Sequence, residues 1–180
     1  MAEYLMVEPN NQQPQSGIDF CLTPRLERFV DGVWYTNIHD LEAKVDFKDE
    51  NGIIDFSVAA ALTNREKETL KSGGNVSLNY LFDEENTIIK AERERIEVNG
   101  DTLVLPVISP TGEKVVQVSE NKIEIHKPEG VLIIEGNAPL TIKDSEKRRI
   151  FNQVPGMEVV PIIIEFPKGV KNINCSLAVI

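Results

Sequence analysis

The chain of 180 residues is poor in residue types on which several common function classes depend. It has two cysteines, Cys21 and Cys175, and two histidines, so it carries neither a disulfide framework nor the clustered ligands of a zinc site. Cys175 falls on the apolar phase of its segment and is expected to be a small buried side chain. A long-range Cys21 to Cys175 disulfide is the alternative. We expect no metal and no cofactor.

Basic residues are also few, with 19 Lys and Arg against 29 Asp and Glu, which gives a net charge of -10. A surface with this balance repels a phosphate backbone, so nucleic acid is not expected as a partner. No apolar run approaches the roughly 20 residues of a membrane helix, and we expect no membrane span. The N-terminus lacks the basic and apolar regions of a secretory signal. The protein is therefore either cytoplasmic, or its sequence begins after a removed or upstream segment.

The most prominent feature of the sequence is a strict alternation of apolar and polar residues. Leu41 to Lys48 alternates in this way, and Ile54 to Ala60 repeats the pattern after the turn at 49–52. Two alternating segments around a turn predict a β-hairpin with one dry face and one wet face. The charged positions of Leu41 to Lys48 belong to the wet face, which is expected to be solvated.

The same pattern recurs along most of the chain, with turn residues about every ten positions, as in sandwiches and barrels. Asp31-Gly32 predicts a hairpin, and Asn99-Gly100 predicts another that joins Thr87–Val98 to Asp101–Ile108. Thr63 with Glu66 has capping-box spacing, so one helical turn or a solvated loop is expected there. We predict an all-β fold, a large antiparallel two-sheet β-sandwich of the supersandwich kind. It forms a single domain over 1–180, with 9–17 as a linker or loop.

Residues Lys90 to Glu97, KAERERIE, are polar on both faces of a predicted strand. Such a strand lies at an edge, extends past the core or lines a groove. If it lines a groove, Arg93 and Arg95 are the best candidates for holding a carboxylate or sulfate, because guanidinium groups donate paired hydrogen bonds.

Aromatic residues make up only 6% of the chain, and its single Trp is followed directly by a Tyr. Trp34 could stack on a sugar ring, but a strand sends Trp34 and Tyr35 to opposite faces, so at least one of them belongs to the core. His39 follows near a strand end and could belong to a loop-borne site. The candidate ligand-binding residues are thus Trp34, Tyr35, His39, Arg93 and Arg95, and no catalytic residue is assigned.

The most distinctive sequence is Arg149 to Pro161, RIFNQVPGMEVVP, together with Leu105 to Ser109. These segments resemble the all-β domain that follows an α/α toroid in heparinase II/III-like polysaccharide lyases and related glycan-degrading enzymes. In that family the toroid supplies most of the catalytic Tyr, His and Asn residues, and this chain contains no toroid. The resemblance implies an accessory domain with little activity of its own. It also implies an oligosaccharide or a companion catalytic domain as partner, and a periplasmic or extracellular location.

The leading functional prediction is a non-catalytic module of carbohydrate processing or recognition. The first alternative is a structural or protein-interaction domain without sugar affinity, whose unpaired strand edges meet a partner. The second is a mutarotase-like sugar enzyme, for which His39 with Asp40 or His126 with Glu124 are the local candidates. Adjacent or alternate pairs of this kind do not form a catalytic cleft by themselves.

Overall fold

The computed structural model describes residues 24–110, 112–142, 149–150 and 157–180, in which strands dominate and no α-helix occurs. Within these ranges one 3-10 turn occurs, at Asn37–His39. The strands, in chain order, are β1 Arg25–Val30, β2 Val33–Thr36, β3 Lys44–Glu50, β4 Ile53–Ala61, β5 Asn75–Phe82, β6 Asn86–Arg93, β7 Asp101–Pro110, β8 Lys114–Ser119, β9 Lys122–Lys127, β10 Gly130–Gly136, β11 Leu140–Ile142, β12 Arg149–Ile150, β13 Met157–Glu165 and β14 Asn172–Val179.

The strands form two antiparallel sheets of unequal width. The narrow sheet has the order β11-β13-β7-β1-β2, with the short β12 added on β13, and the wide sheet has the order β3-β4-β5-β6-β14-β10-β9-β8. Aliphatic side chains from both sheets meet in one core, among them Leu26, Leu103 and Ile162 of the narrow sheet and Leu78 and Ile134 of the wide one. The predicted all-β, antiparallel two-sheet sandwich is confirmed.

Two of the predicted hairpins are present with the expected turn chemistry. Asp31 and Gly32 have φ values of 49° and 84°, and Asn51 and Gly52 have 54° and 78°. Positive φ at both central residues is typical of the type I′ turn, whose twist matches that of the strands it joins. These turns place Phe29 opposite Trp34 in β1–β2 and Phe47 opposite Phe56 in β3–β4.

The hairpin predicted at Asn99-Gly100 is wrong. The strand before it ends at Arg93 and pairs with β5 and β14 in the wide sheet, whereas β7 pairs with β1 and β13 in the narrow sheet. Residues 94–100 therefore cross from one sheet to the other. A turn dipeptide shows where the backbone reverses, but the sheet that the next strand joins depends on which apolar face it must cover.

The predicted dry face of the hairpin at residues 41–60 is also wrong for β3. Val45 and Phe47 are 59% and 58% exposed, because β3 is the edge strand of the wide sheet.

No helical turn forms at Thr63, which instead makes isolated β-bridges to Thr36 and Thr69. Local capping chemistry was outweighed here by pairing with a distant strand.

Cys175 lies in the core with no exposed surface, and its thiol is free. Burial raises the pKa of this thiol to about 12. Cys21 and the linker predicted at 9–17 lie outside the described residues. No helix among those described is long and apolar enough to cross a membrane.

Candidate functional site

Arg93 lies between the two sheets and is completely buried. Its Nε donates to the carbonyl of Val170 at 2.9 Å, and its two terminal nitrogens donate to the carbonyls of Ile96, Val98 and Pro167 at 2.7–3.4 Å. One of them also donates to Asp101 Oδ2 at 3.2 Å. A guanidinium group has five N–H donors, and these contacts use all of them. We therefore assign Arg93 to holding the sheets together rather than to a ligand.

Asp101 connects Arg93 to Arg28, so that these hydrogen bonds join the two sheets. Its carboxylate accepts hydrogen bonds from Arg28 Nε at 2.5 Å and Arg28 Nη2 at 2.9 Å, in addition to the one from Arg93. Arg28 and Asp101 belong to the narrow sheet and Arg93 to the wide one. Buried charged groups are tolerated only when they are paired and hydrogen-bonded, as these three side chains are.

Two other sequence-predicted residues also face inward. Tyr35 is partly buried and packs against the core, and His39 is buried in the 3-10 turn. Asp40, the proposed partner of His39, accepts hydrogen bonds from the backbone of Glu42 and Ala61 at 2.9 and 2.7 Å. These contacts fix the entry to β3, which accounts for Asp40 without any catalytic role.

Trp34 lies on the opposite face of the same strand and is 44% exposed. The ring of Phe29, 54% exposed, lies beside it, with centroids 4.9 Å apart and an angle of 43° between the planes. Two neighbouring exposed rings make a better surface for a pyranose ring than one. Sequence analysis missed Phe29, although the turn at Asp31-Gly32 fixes the register that pairs it with Trp34.

Arg95 is exposed at the start of the crossover, and its Nη1 donates to Ser72 Oγ at 2.9 Å. Its aliphatic stem covers Gly73 so closely that a Cβ added there would lie 2.7 Å from Arg95 Cδ. Arg28, next to Phe29 in β1, donates to the carbonyls of Ser72 and Gly73. The loop under Arg95 is therefore anchored to β1, the strand that carries Phe29, at the end of the sandwich where Arg28 pairs with Asp101.

A second polar region covers the outer face of the wide sheet. One shallow groove of about 290 Å³ is lined by residues that include Asn79, Lys90 and Asn174, and a neighbouring one of about 310 Å³ includes Glu92, Glu94 and Lys171. Lys171 is paired with Glu92 at 2.6 Å. Cations and carboxylates are balanced along these grooves, so they present no field of one sign.

Of the remaining titratable contacts, the buried pair of Arg25 Nε and Glu27 Oε1, 2.5 Å apart, lies on the same face of β1 as Phe29. The others lie around β9. His126 Nε2 is 3.6 Å from Glu124 Oε2 on β9. Burial would raise the pKa of Glu113, but hydrogen bonds from Lys127 at 2.8 Å and Ser109 at 2.6 Å outweigh it and hold the pKa below its usual value. Within the described ranges no cluster of three or more His, Cys, Asp or Glu side chains could hold a metal ion.

The sandwich has known counterparts among solved structures. Two crystal structures of the heparan sulfate lyase HepC from Pedobacter heparinus, one of them a mutant, superpose with a TM-score of 0.55 at 13% identity. In each case the match covers 76% of this chain and 21% of the lyase. This likeness shows that the fold is similar to that of part of HepC.

Sequence comparison identifies the family. The model of the ulvan lyase C-terminal domain matches residues 1–180, and the chain belongs to this family. A curated relative, the broad-specificity ulvan lyase of Formosa agariphila, is 38% identical over 181 residues. The match takes in all of this chain but spans only 28% of the relative. The expected resemblance to a polysaccharide lyase β-domain is confirmed, and the family match extends over the whole chain, beyond the segments Arg149 to Pro161 and Leu105 to Ser109 that indicated it.

Proposed function

We propose that this domain is a non-catalytic module of an ulvan-lyase-type enzyme and that it contacts the polysaccharide beside a separate catalytic domain. The coverage of the curated relative carries this proposal, because 28% of that lyase corresponds to the whole of this chain. The rest of such an enzyme is long enough to contain a catalytic domain.

The arrangement of ionisable groups supports a non-catalytic role. Acid–base catalysis needs an acid and a base within reach of one substrate atom. His39 is buried beside the narrow sheet, whereas His126 lies on the outer face of the wide sheet, and each carboxylate that neighbours them has a local structural partner or faces solvent. No described pair of these groups shares a cleft.

For the polysaccharide contact we assign the end of the sandwich that carries Phe29, Trp34 and Arg95. The rings offer an apolar surface for a sugar face, and Arg95 offers N–H donors for a carboxylate or sulfate. Tyr35, His39 and Arg93 support this region from within. We further place the protein outside the cytoplasm, where a polymeric substrate is accessible.

Fluorescence titration tests this proposal directly, since Trp34 is the single Trp of the chain. Ulvan oligosaccharides should change its emission, and calorimetry should show that Arg95→Ala weakens binding by about tenfold or more, as expected for a charge-assisted hydrogen bond. Lys114→Ala removes an exposed cation from β8 and serves as the control, with unchanged affinity.

Two results would contradict the proposal. The first is an unchanged emission of Trp34 at saturating concentrations of both ulvan and neutral oligosaccharides, with no heat of binding. The second is cleavage of ulvan by the 180-residue chain alone, detected by the ultraviolet absorbance of the unsaturated product, because it would assign a catalytic role to this domain.

A further inference from the structure

The outer face of the wide sheet carries a row of polar side chains in the middle of the sheet rather than at an edge. Register pairs Asn79 of β5 with Lys90 of β6, and Lys90 with Asn174 of β14. The neighbours of Lys90 along β6, Ile89 and Ala91, are buried in the core, so Lys90 faces away from it. Three adjacent strands therefore present an amide, an ammonium group and a second amide side by side.

This row belongs to a groove that runs along the three strands. The two shallow grooves of this face share two lining residues, Ser77 and Glu92, and are therefore continuous. The combined groove follows β5 from Asn75 to Asn79, which is about 14 Å of extended strand, and it is about 10 Å wide across three strands. These dimensions suit a stretch of a polymer better than a single small molecule.

Asparagine is depleted in strands, yet four asparagines line this groove, Asn75, Asn79, Asn172 and Asn174. Asn79 Nδ2 donates to Asp55 Oδ1 at 2.5 Å, which orients this amide and leaves its oxygen as an acceptor. The side-chain amides of Asn172 and Asn174 have no hydrogen-bond partner among the described residues. An amide offers both donors and an acceptor, the combination that the hydroxyl groups of a sugar require.

Lys90 is the exposed cation in the middle of this groove, and it forms no ion pair with any residue that the structure describes. Its neighbour Glu92 pairs with Lys171 at 2.6 Å instead. Unpaired lysines at a sheet edge discourage strand pairing, which accounts for Lys44 and Lys48 of β3. That explanation does not apply to Lys90, because β6 lies between β5 and β14. Its ammonium group is therefore available to an acidic group of a ligand.

We infer that this groove binds a stretch of acidic polysaccharide, as a second contact besides the one assigned to Trp34 and Arg95, and this inference rests on the proposed function. The asparagine amides bind hydroxyl groups, and Lys90 binds a carboxylate or sulfate of the same chain. Glu94 disfavours a further acidic group at its end of the groove, so Lys90 fixes which part of the chain lies there. Glu94 also directly precedes Arg95, so both contacts are within reach of one polysaccharide chain.

A protein partner fits this groove less well. None of its described lining residues is aromatic, and the apolar ones, Val76, Ala91 and Ile173, are buried in the core. Protein interfaces depend on aromatic and apolar anchors at their centre. A saccharide held without ring stacking depends on hydrogen bonds alone, so the groove should add to the contact at Trp34 and Arg95 rather than replace it.

Nuclear magnetic resonance of the isotope-labelled 180-residue chain tests this inference, because the side-chain amides of the asparagines give their own signals. Ulvan oligosaccharides should shift the signals of Asn79, Asn172 and Asn174 but not that of the buried Asn64. Lys90→Gln should weaken the affinity measured from these shifts by about fivefold or more, because a charge-assisted hydrogen bond is lost. Lys48→Gln removes the same charge from the outer face of β3 and serves as the matched control, with unchanged affinity. Inorganic sulfate alone should leave the asparagine signals in place.

The results separate this inference from the proposed function. Unchanged asparagine signals together with a changed emission of Trp34 would overturn the inference and leave the proposed function in place. Equal affinities of the two lysine variants would also overturn it, as would equally strong shifts with inorganic sulfate or with neutral oligosaccharides of the same length. If neither the asparagine signals nor the emission of Trp34 changed, the proposed function would fail together with the inference.

Discussion

Asp101 is the residue whose replacement should cost the most stability, because its one carboxylate is shared by two buried arginines from opposite sheets. The side chains of Arg28, Arg93 and Asp101 are all 4% exposed or less. Asp101→Asn keeps the shape of the side chain but removes its charge. It also turns one acceptor oxygen into an amide that faces guanidinium donors.

The magnitude follows from what the arginines retain. Removing one partner of a buried ion pair costs about 3–5 kcal/mol, because the other charge stays buried. Arg93 keeps its four carbonyl contacts and Arg28 keeps two. We therefore expect the lower end of that range, about 3 kcal/mol. With a urea m-value of about 2–3 kcal/mol/M, the unfolding midpoint should fall by about 1–1.5 M.

Urea unfolding followed by the fluorescence of Trp34 measures this shift, and Asp49→Asn provides the matched control. Asp49 is exposed in β3, so the same chemical change there should alter stability by no more than about 0.5 kcal/mol. If the midpoint of Asp101→Asn moved no further than that of the control, the bridge would contribute nothing net. The assignment of Arg93 to structure would then lose its energetic basis.

Three further predictions concern a carboxyl, a thiol and a glycine. Because the pKa of Glu113 is lowered, its contact with Lys127 stabilises the fold above the pKa of the unfolded state, and this stabilisation is lost as the pH falls through the native pKa. Lys127→Met should therefore destabilise the protein at neutral pH but not in acid. Urea titrations at several pH values would show this difference. In a Cys21→Ser background, the buried Cys175 thiol should react with Ellman's reagent only on unfolding, and rapid labelling of the folded protein would contradict its burial. Gly73→Ala should cost about 1–2 kcal/mol, because φ is 63° and the added Cβ meets the side chain of Arg95. Gly52→Ala, also at positive φ but in open space, should cost less. The excess should shrink when Arg95→Ala is combined with Gly73→Ala, because the nearest contacts, Cδ and Cγ, are then removed.

Local sequence was sufficient for the elements and for part of the topology. Alternation located most of the strands, and the positive-φ pairs Asp31-Gly32 and Asn51-Gly52 fixed the registers of β1–β2 and β3–β4. Asn99-Gly100 carries the same signal, yet its strands belong to different sheets. The difference lies in long-range pairing: β6 and β7 have better partners in β14 and β13 than in each other, and no local pattern encodes that preference.

The residues of the candidate site were likewise only partly predictable from the local sequence. The polarity of Lys90 to Glu97 on both faces predicted an edge strand, a strand that extends past the core or the lining of a groove. The edge interpretation is wrong, because β6 lies between β5 and β14, and the pattern could not separate Arg93 from Arg95. The two differ only in what surrounds them: Arg93 ends β6 against a ring of carbonyls and Asp101, whereas Arg95, two residues on, lies over Gly73 at the surface. An arginine becomes structural or ligand-binding through the acceptors that the fold brings to it. Arg95 and the rings of Phe29 and Trp34 are therefore the groups to which the proposed saccharide contact is assigned, whereas Arg93 joins the crossover to Asp101 inside the sandwich.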